Sequence, residues 1–271
     1  MTHSAGIIWY LADTLAATAL VVLLWLLGQR LRLIVSQPLF ITAAVMFIAG
    51  MSPWLDQMAR YSLWLHSWQS VMIHHLAPLV WMASLMPSEP ASVRPSFNAP
   101  RLQSCLPFLL IIFGLLTWLW MLPSFHTLFM DSAVFYALMK WMMALSGISL
   151  CLLVVVPSTS SYRIDGAGCQ HFWVSISVVA PMLLMGLVMT SSADLFSAYH
   201  NTNQHMHMMQ SLPQALAMPA FLDQKLAGII FIVAAVIYWL GERLITRPLS
   251  YPFTRPARVA VGVSPNKRRY S

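Results

Sequence analysis

Residues Ile7 to Gly28 read IIWYLADTLAATALVVLLWLLG. The run holds a single charge, Asp13, and shows no alternation of apolar and polar positions. A continuous apolar stretch of about 20 residues matches the thickness of a bilayer core as an α-helix, whereas a membrane strand would alternate. Working outward, six further runs of this kind fall at about 38–54, 62–86, 104–122, 134–156, 172–191 and 226–245. The predicted fold is therefore all-α, a polytopic membrane helical bundle of about seven transmembrane helices. It divides into a transmembrane domain over 1–247 and a Pro-rich, basic tail over 248–271 that reads as mobile.

Composition points the same way. Of 271 residues, 59% are apolar and only 8% charged, against about 25% charged in a soluble domain. So few charges cannot cover a surface that faces water. The net charge of +7 does not indicate nucleic acid, because the basic residues are scattered and no groove-reading motif is present. They follow the positive-inside pattern instead. Arg30, Arg32, Arg94, Arg101, Arg163, Arg243 and Arg247 fall in alternate connections, and the opposite ones hold only Arg60 and Lys225. This predicts the N-terminus outside and the C-terminus in the cytoplasm. No basic region precedes the first apolar run, so it is expected to be an uncleaved anchor. Cys105, Cys151 and Cys169 fall toward the reducing side, and neither a disulfide framework nor a cysteine metal motif is expected.

On this topology the longest outer connection, about 192–225, contains YHNTNQHMHMMQ, Tyr199 to Gln210. Imidazole with thioether sulfur suits Cu(I), and zinc would call for Cys or carboxylate. His200, His205, Met206, His207, Met208 and Met209 are thus candidate copper ligands. His205 and His207 are two residues apart and do not share a helix face, so such a site would be built from loop. The alternatives are a Met-rich stretch lying on the membrane and another metal.

Polar residues within the spans need a reason, since insertion scales charge them at least about 2.5–3.5 kcal/mol. Asp13 and Lys140 lie at similar depth and are expected to pair. His66 and Gln69 share a helix face, His74 and His75 lie two turns deeper, and His126 follows Pro123 in a short outer connection. His66 and His126 are candidates for a firmer metal site at the membrane edge if their helices pack together. Gln69, His74, His75, Asp223 and Gln224 are candidate supporting or docking groups. Asp223, at a helix start, is equally suited to capping free amides.

Four motifs in this order resemble the CtaG-like membrane family of cytochrome c oxidase assembly factors over roughly residues 7 to 245. They are HSWQSVMIHHLAP (His66–Pro78), LPSFH (Leu122–His126) ahead of a span containing Gly147, LFSAYH (Leu195–His200), and DQKLAG (Asp223–Gly228). Two positions depart from the family pattern. Ser70 stands where a second His is usual, and Met139-Lys140 stands where Glu-His is frequent. His74 and His75, or the Met/His stretch, are open as substitutes, as is loss of the ancestral site. The resemblance implies a non-catalytic protein that delivers Cu(I) at the outer face during oxidase assembly, with lipid, oxidase subunits or another copper chaperone as partners. A copper or proton transporter and a metal-free scaffold are the alternatives. An enzyme is not expected, because no nucleophile–base arrangement is visible.

Overall fold

A backbone surrounded by lipid must satisfy its hydrogen bonds within its own segment, and every regular element among the described residues is accordingly a helix. The computed structural model describes residues 3–31, 33–85, 105–158, 167–196 and 218–246, and among them there is no strand. The helices are α1 (His3–Arg30), α2 (Gln37–Gly50), α3 (Pro53–Ala59), α4 (Leu63–Val71) and α5 (Ala77–Leu85). After them come α6 (Leu106–Leu119), α7 (Pro123–Asp131), α8 (Ala133–Ser158), α9 (Ala167–Ser191) and α10 (Ala220–Thr246). The 248–271 tail and the Met/His stretch lie outside the described residues.

Four helices, α1, α8, α9 and α10, are long and apolar enough to cross a membrane. Two bent pairs raise this to six: α2 with α3 at 53°, and α6 with α7 at 79°. Both bends fall at a proline that opens the second helix, Pro53 and Pro123, where a missing amide costs nothing. The remaining expected span, 62–86, is α4, a π-helical turn (Met72–Leu76) and α5. Its backbone is helical throughout Leu63–Leu85, roughly 34 Å at 1.5 Å per residue. It is interrupted by the π turn, and it carries His66, Gln69, His74 and His75. All four are at most 2% exposed, so its polar face is turned into the protein.

This polar helix packs on α2, α8 and α10. Within the bundle α8 is central, with 61% of its span buried, and α1 is peripheral, with 22%. Leucines such as Leu11, Leu15, Leu23 and Leu26 of α1 are exposed, as expected of a lipid-facing surface. α9 and α10 approach closely at two glycines. A Cβ on Gly228 would lie 2.8 Å from the Gly186 carbonyl, and one on Gly186 would lie 2.7 Å from that of Gly228. Small residues permit this kind of contact between membrane helices.

The π turn has a cause in the sequence. Pro78 has no amide to give the His74 carbonyl, and its ring crowds that oxygen. The helix widens by one residue, and the Ala77 amide bonds to the Met72 carbonyl instead. The adjacent His74 and His75 are both buried as a result. α8 meets this point at Gly147, where a Cβ would lie 2.6 Å from the His74 carbonyl and 2.9 Å from Pro78 Cγ. Gly147→Val is expected to destabilise the detergent-solubilised protein by about 2–3 kcal/mol through overpacking. Gly114→Ala, whose Cβ would meet nothing nearer than 3.6 Å, should leave the melting temperature unchanged. Equal melting temperatures for the two variants would refute the close contact.

Candidate functional site

A polar network runs through the end of the bundle at which α4, α8 and α10 begin. Lys140, two turns into α8 and 1% exposed, donates to Asp13 Oδ2 of α1 (2.5 Å) and Asp56 Oδ2 of α3 (2.6 Å). Its third acceptor is the Met51 carbonyl at the end of α2 (3.1 Å). The expected Asp13–Lys140 pair is therefore present, and Asp56 is a second partner. The other oxygen of each carboxylate is also engaged. Trp141 Nε1 donates to Asp13 Oδ1 (2.6 Å), and Gln69 Nε2 donates to Asp56 Oδ1 (2.6 Å).

Gln69 carries the network from the charges to the imidazoles. Its amide nitrogen also donates to the Gly50 carbonyl (2.6 Å), so its Oε1 is the acceptor, and it receives the Tyr136 hydroxyl hydrogen. With that hydrogen spent, the Tyr136 oxygen can only accept from His66 Nδ1, 3.4 Å away. His66 is thereby held with its hydrogen on Nδ1 and its lone pair on Nε2, and Ser70 Oγ lies 3.4 Å from that nitrogen. His126 has the same tautomer for a simpler reason. Its Nδ1 faces the Trp120 carbonyl at 3.2 Å, and a carbonyl only accepts.

The two imidazoles are neighbours. The bend at Pro123 returns α7 against the bundle, so the His66 and His126 ring centroids are 5.1 Å apart at 68°. The far side of His126 meets Phe196, at 5.3 Å. Both histidines are at most 1% exposed.

Asp223 and Gln224 serve helix ends belonging to other segments. Asp223 accepts from the Leu63 and Trp64 amides (2.8 Å each) and from Ser62 Oγ (3.2 Å). It is thus the N-terminal cap of α4, supplied from α10, and Ser62 makes no side-chain cap of its own. Gln224 Nε2 donates to the Met189 and Ala193 carbonyls (2.9 and 3.1 Å), and its Oε1 accepts from the Leu195 amide (2.7 Å). Lys225 Nζ donates to the Thr190 carbonyl. Three consecutive side chains thereby fasten α10 to the start of α4 and the end of α9.

His74 and His75 are not joined to this network by any hydrogen bond among the described residues. His74 Nε2 is 3.0 Å from Ser146 Oγ and its ring stacks on Phe113 (3.9 Å, 30°). His75 packs edge-on against Phe113 and Tyr238. The candidate ligands His200, His205, Met206, His207, Met208 and Met209 lie outside the described residues. Among the described residues no group of three or more His, Cys, Asp or Glu side chains is placed to hold a metal ion, and the imidazoles brought together there are the His66–His126 pair. The sequence reading missed Asp56 and Tyr136. Asp56 falls just past the expected end of a span, and its signal was the Ser52-Pro53 helix start that turns it back inward.

The profile of a family described as cytochrome c oxidase caa3 assembly factor (Caa3_CtaG) matches residues 28–241. No curated protein and no solved structure matches the chain.

Proposed function

Since the chain belongs to the cytochrome c oxidase caa3 assembly factor family, we propose that it passes Cu(I) to an oxidase subunit, or receives it from another copper chaperone, without catalysing a reaction. The observation that carries this reading is the His66–His126 pair. Each ring spends Nδ1 on an oxygen acceptor, which is how histidine ligands are oriented, and keeps Nε2 as its lone-pair nitrogen. Two imidazoles fit Cu(I), a d10 ion that accepts two ligands, better than zinc, which takes four. The His/Met stretch, from His200 to Met209, would collect the ion, and the pair would hold it.

The distribution of Lys and Arg supports placing this end of the bundle on the outer face of a bacterial cytoplasmic membrane. Copper is then the cargo, and the network behind His66 keeps its receiver in one orientation. The test is an anaerobic Cu(I) titration of the detergent-purified protein against a competing chelator. His66→Ala is expected to lose about one copper per chain while eluting as a monodisperse species, and replacing HMHMM by SASAA should slow capture. Unchanged copper content in His66→Ala would remove the pair from the mechanism.

A transporter is the second reading. His66, Ser70 and His74 succeed one another at intervals of four residues along one helix, so polar groups continue deeper into the bundle. Copper flux into liposomes that depends on His74 would favour transport, and its absence favours a chaperone.

A further inference from the structure

The charge of the buried cluster follows from its hydrogen bonds. Lys140 Nζ faces three acceptors and needs three hydrogens to satisfy them, so it is an ammonium. Each of the four carboxylate oxygens of Asp13 and Asp56 faces a donor, which leaves no acceptor for an acid hydrogen among these contacts. Two carboxylates and one ammonium sum to a formal charge of −1. A net charge so deep is costly unless something offsets it. The Gln69–Tyr136 relay leads from it directly to His66, with every donor along the way aimed toward Asp56.

We infer that the Asp13–Lys140–Asp56 cluster matches the His66–His126 site to a monovalent cation, so that Cu(I) brings the buried network to neutrality. The inference rests on the copper reading above and adds to it three residues that touch no metal. They set which charge the site holds best. A divalent ion would leave an excess of +1, and an empty site leaves −1. The match also makes copper departure costly until the receiving protein supplies its own ligands.

The test measures Cu(I) affinity by chelator competition in three forms of the full chain. Asp13→Asn brings the cluster to zero and should weaken Cu(I) by about tenfold, the order of a unit-charge interaction at an effective dielectric of about 20. The double variant Asp13→Asn/Lys140→Gln returns the cluster to −1 with side chains that still hydrogen-bond, and affinity should return to near the wild-type value. A purely structural role predicts the opposite, a double variant worse than the single one. The third measurement needs no variant. Cu(I) binding to the wild type should release no net proton, whereas a network already neutralised by a proton would release about one per copper.

Binding that His66→Ala leaves intact would overturn the copper reading itself. Binding that needs His66 but ignores Asp13→Asn, or that releases a proton, would overturn the charge match alone. If Asp13→Asn does not fold, the proton count decides.

Discussion

Replacing Lys140 by Met is expected to lower the unfolding free energy in detergent by about 3–5 kcal/mol, the usual penalty for removing one partner of a buried ion pair. Shape is not the reason, since Met nearly conserves the volume. The ammonium is the shared partner of Asp13 and Asp56, whose side chains are 6% and 12% exposed. Without it, two like charges face each other where water is scarce. The pairing itself need not be strongly stabilising, because burying the three charges costs nearly what their attraction returns. The asymmetry lies in breaking it. Adding Asp13→Asn to Lys140→Met should therefore recover part of the loss. Unfolding by SDS titration checks both, and a Lys140→Met variant within about 1 kcal/mol of wild type would show that the carboxylates do not depend on the ammonium.

Asp223→Ala is expected to cost about 3 kcal/mol, more than the ~1 kcal/mol of an ordinary N-cap, because three donors lose a charged acceptor at once. The deleted carboxylate also leaves a gap, but the lost hydrogen bonds dominate at this size. Asp223→Asn keeps one acceptor oxygen and should lose about half as much. The loss has an address. The Leu63 and Trp64 amides are the ones left without an acceptor, so their hydrogen exchange should accelerate while α6 stays protected. Uniform acceleration across all helices would instead mean that Asp223 acts on the fold as a whole.

Most of the architecture was legible in the sequence, because a lipid solvent leaves the backbone one local solution and length then separates the spans. What escaped was bending. Pro53 and Pro123 look like loop residues to a hydropathy reading, yet each opens a short helix that returns polar side chains to the core. Asp56 and His126 arrive at the network by these returns. The pairing of Asp13 with Lys140 could be read from matched depth, and Asp56 could not, since a charge beyond the end of a span needs no explanation there.

The candidate site was legible as a set of buried polar residues and less so in its connections. His66, Gln69 and His126 were singled out, and the structure places them together. Tyr136 was overlooked because a tyrosine at the start of an apolar run is unremarkable. Ser70 and Lys140, at the two departures from the family pattern, turn out to be used. Ser70 lies beside His66 Nε2, and Lys140 anchors both carboxylates. Asp223 and Gln224 illustrate a different limit. Their partners are helix ends 29 to 161 positions away along the chain, and no local pattern announces those.

The triple fastening at Asp223, Gln224 and Lys225 has a consequence for how the protein is made. α10 is translated after every segment it secures. Until it inserts, the first amides of α4 and the last carbonyls of α9 lack these caps, and His66 stands only one turn inside an open helix end. The nascent chain thus cannot mature its imidazole pair piecemeal as helices leave the translocon. The packing around His66 and His126 is therefore completed late, when the closing helix docks.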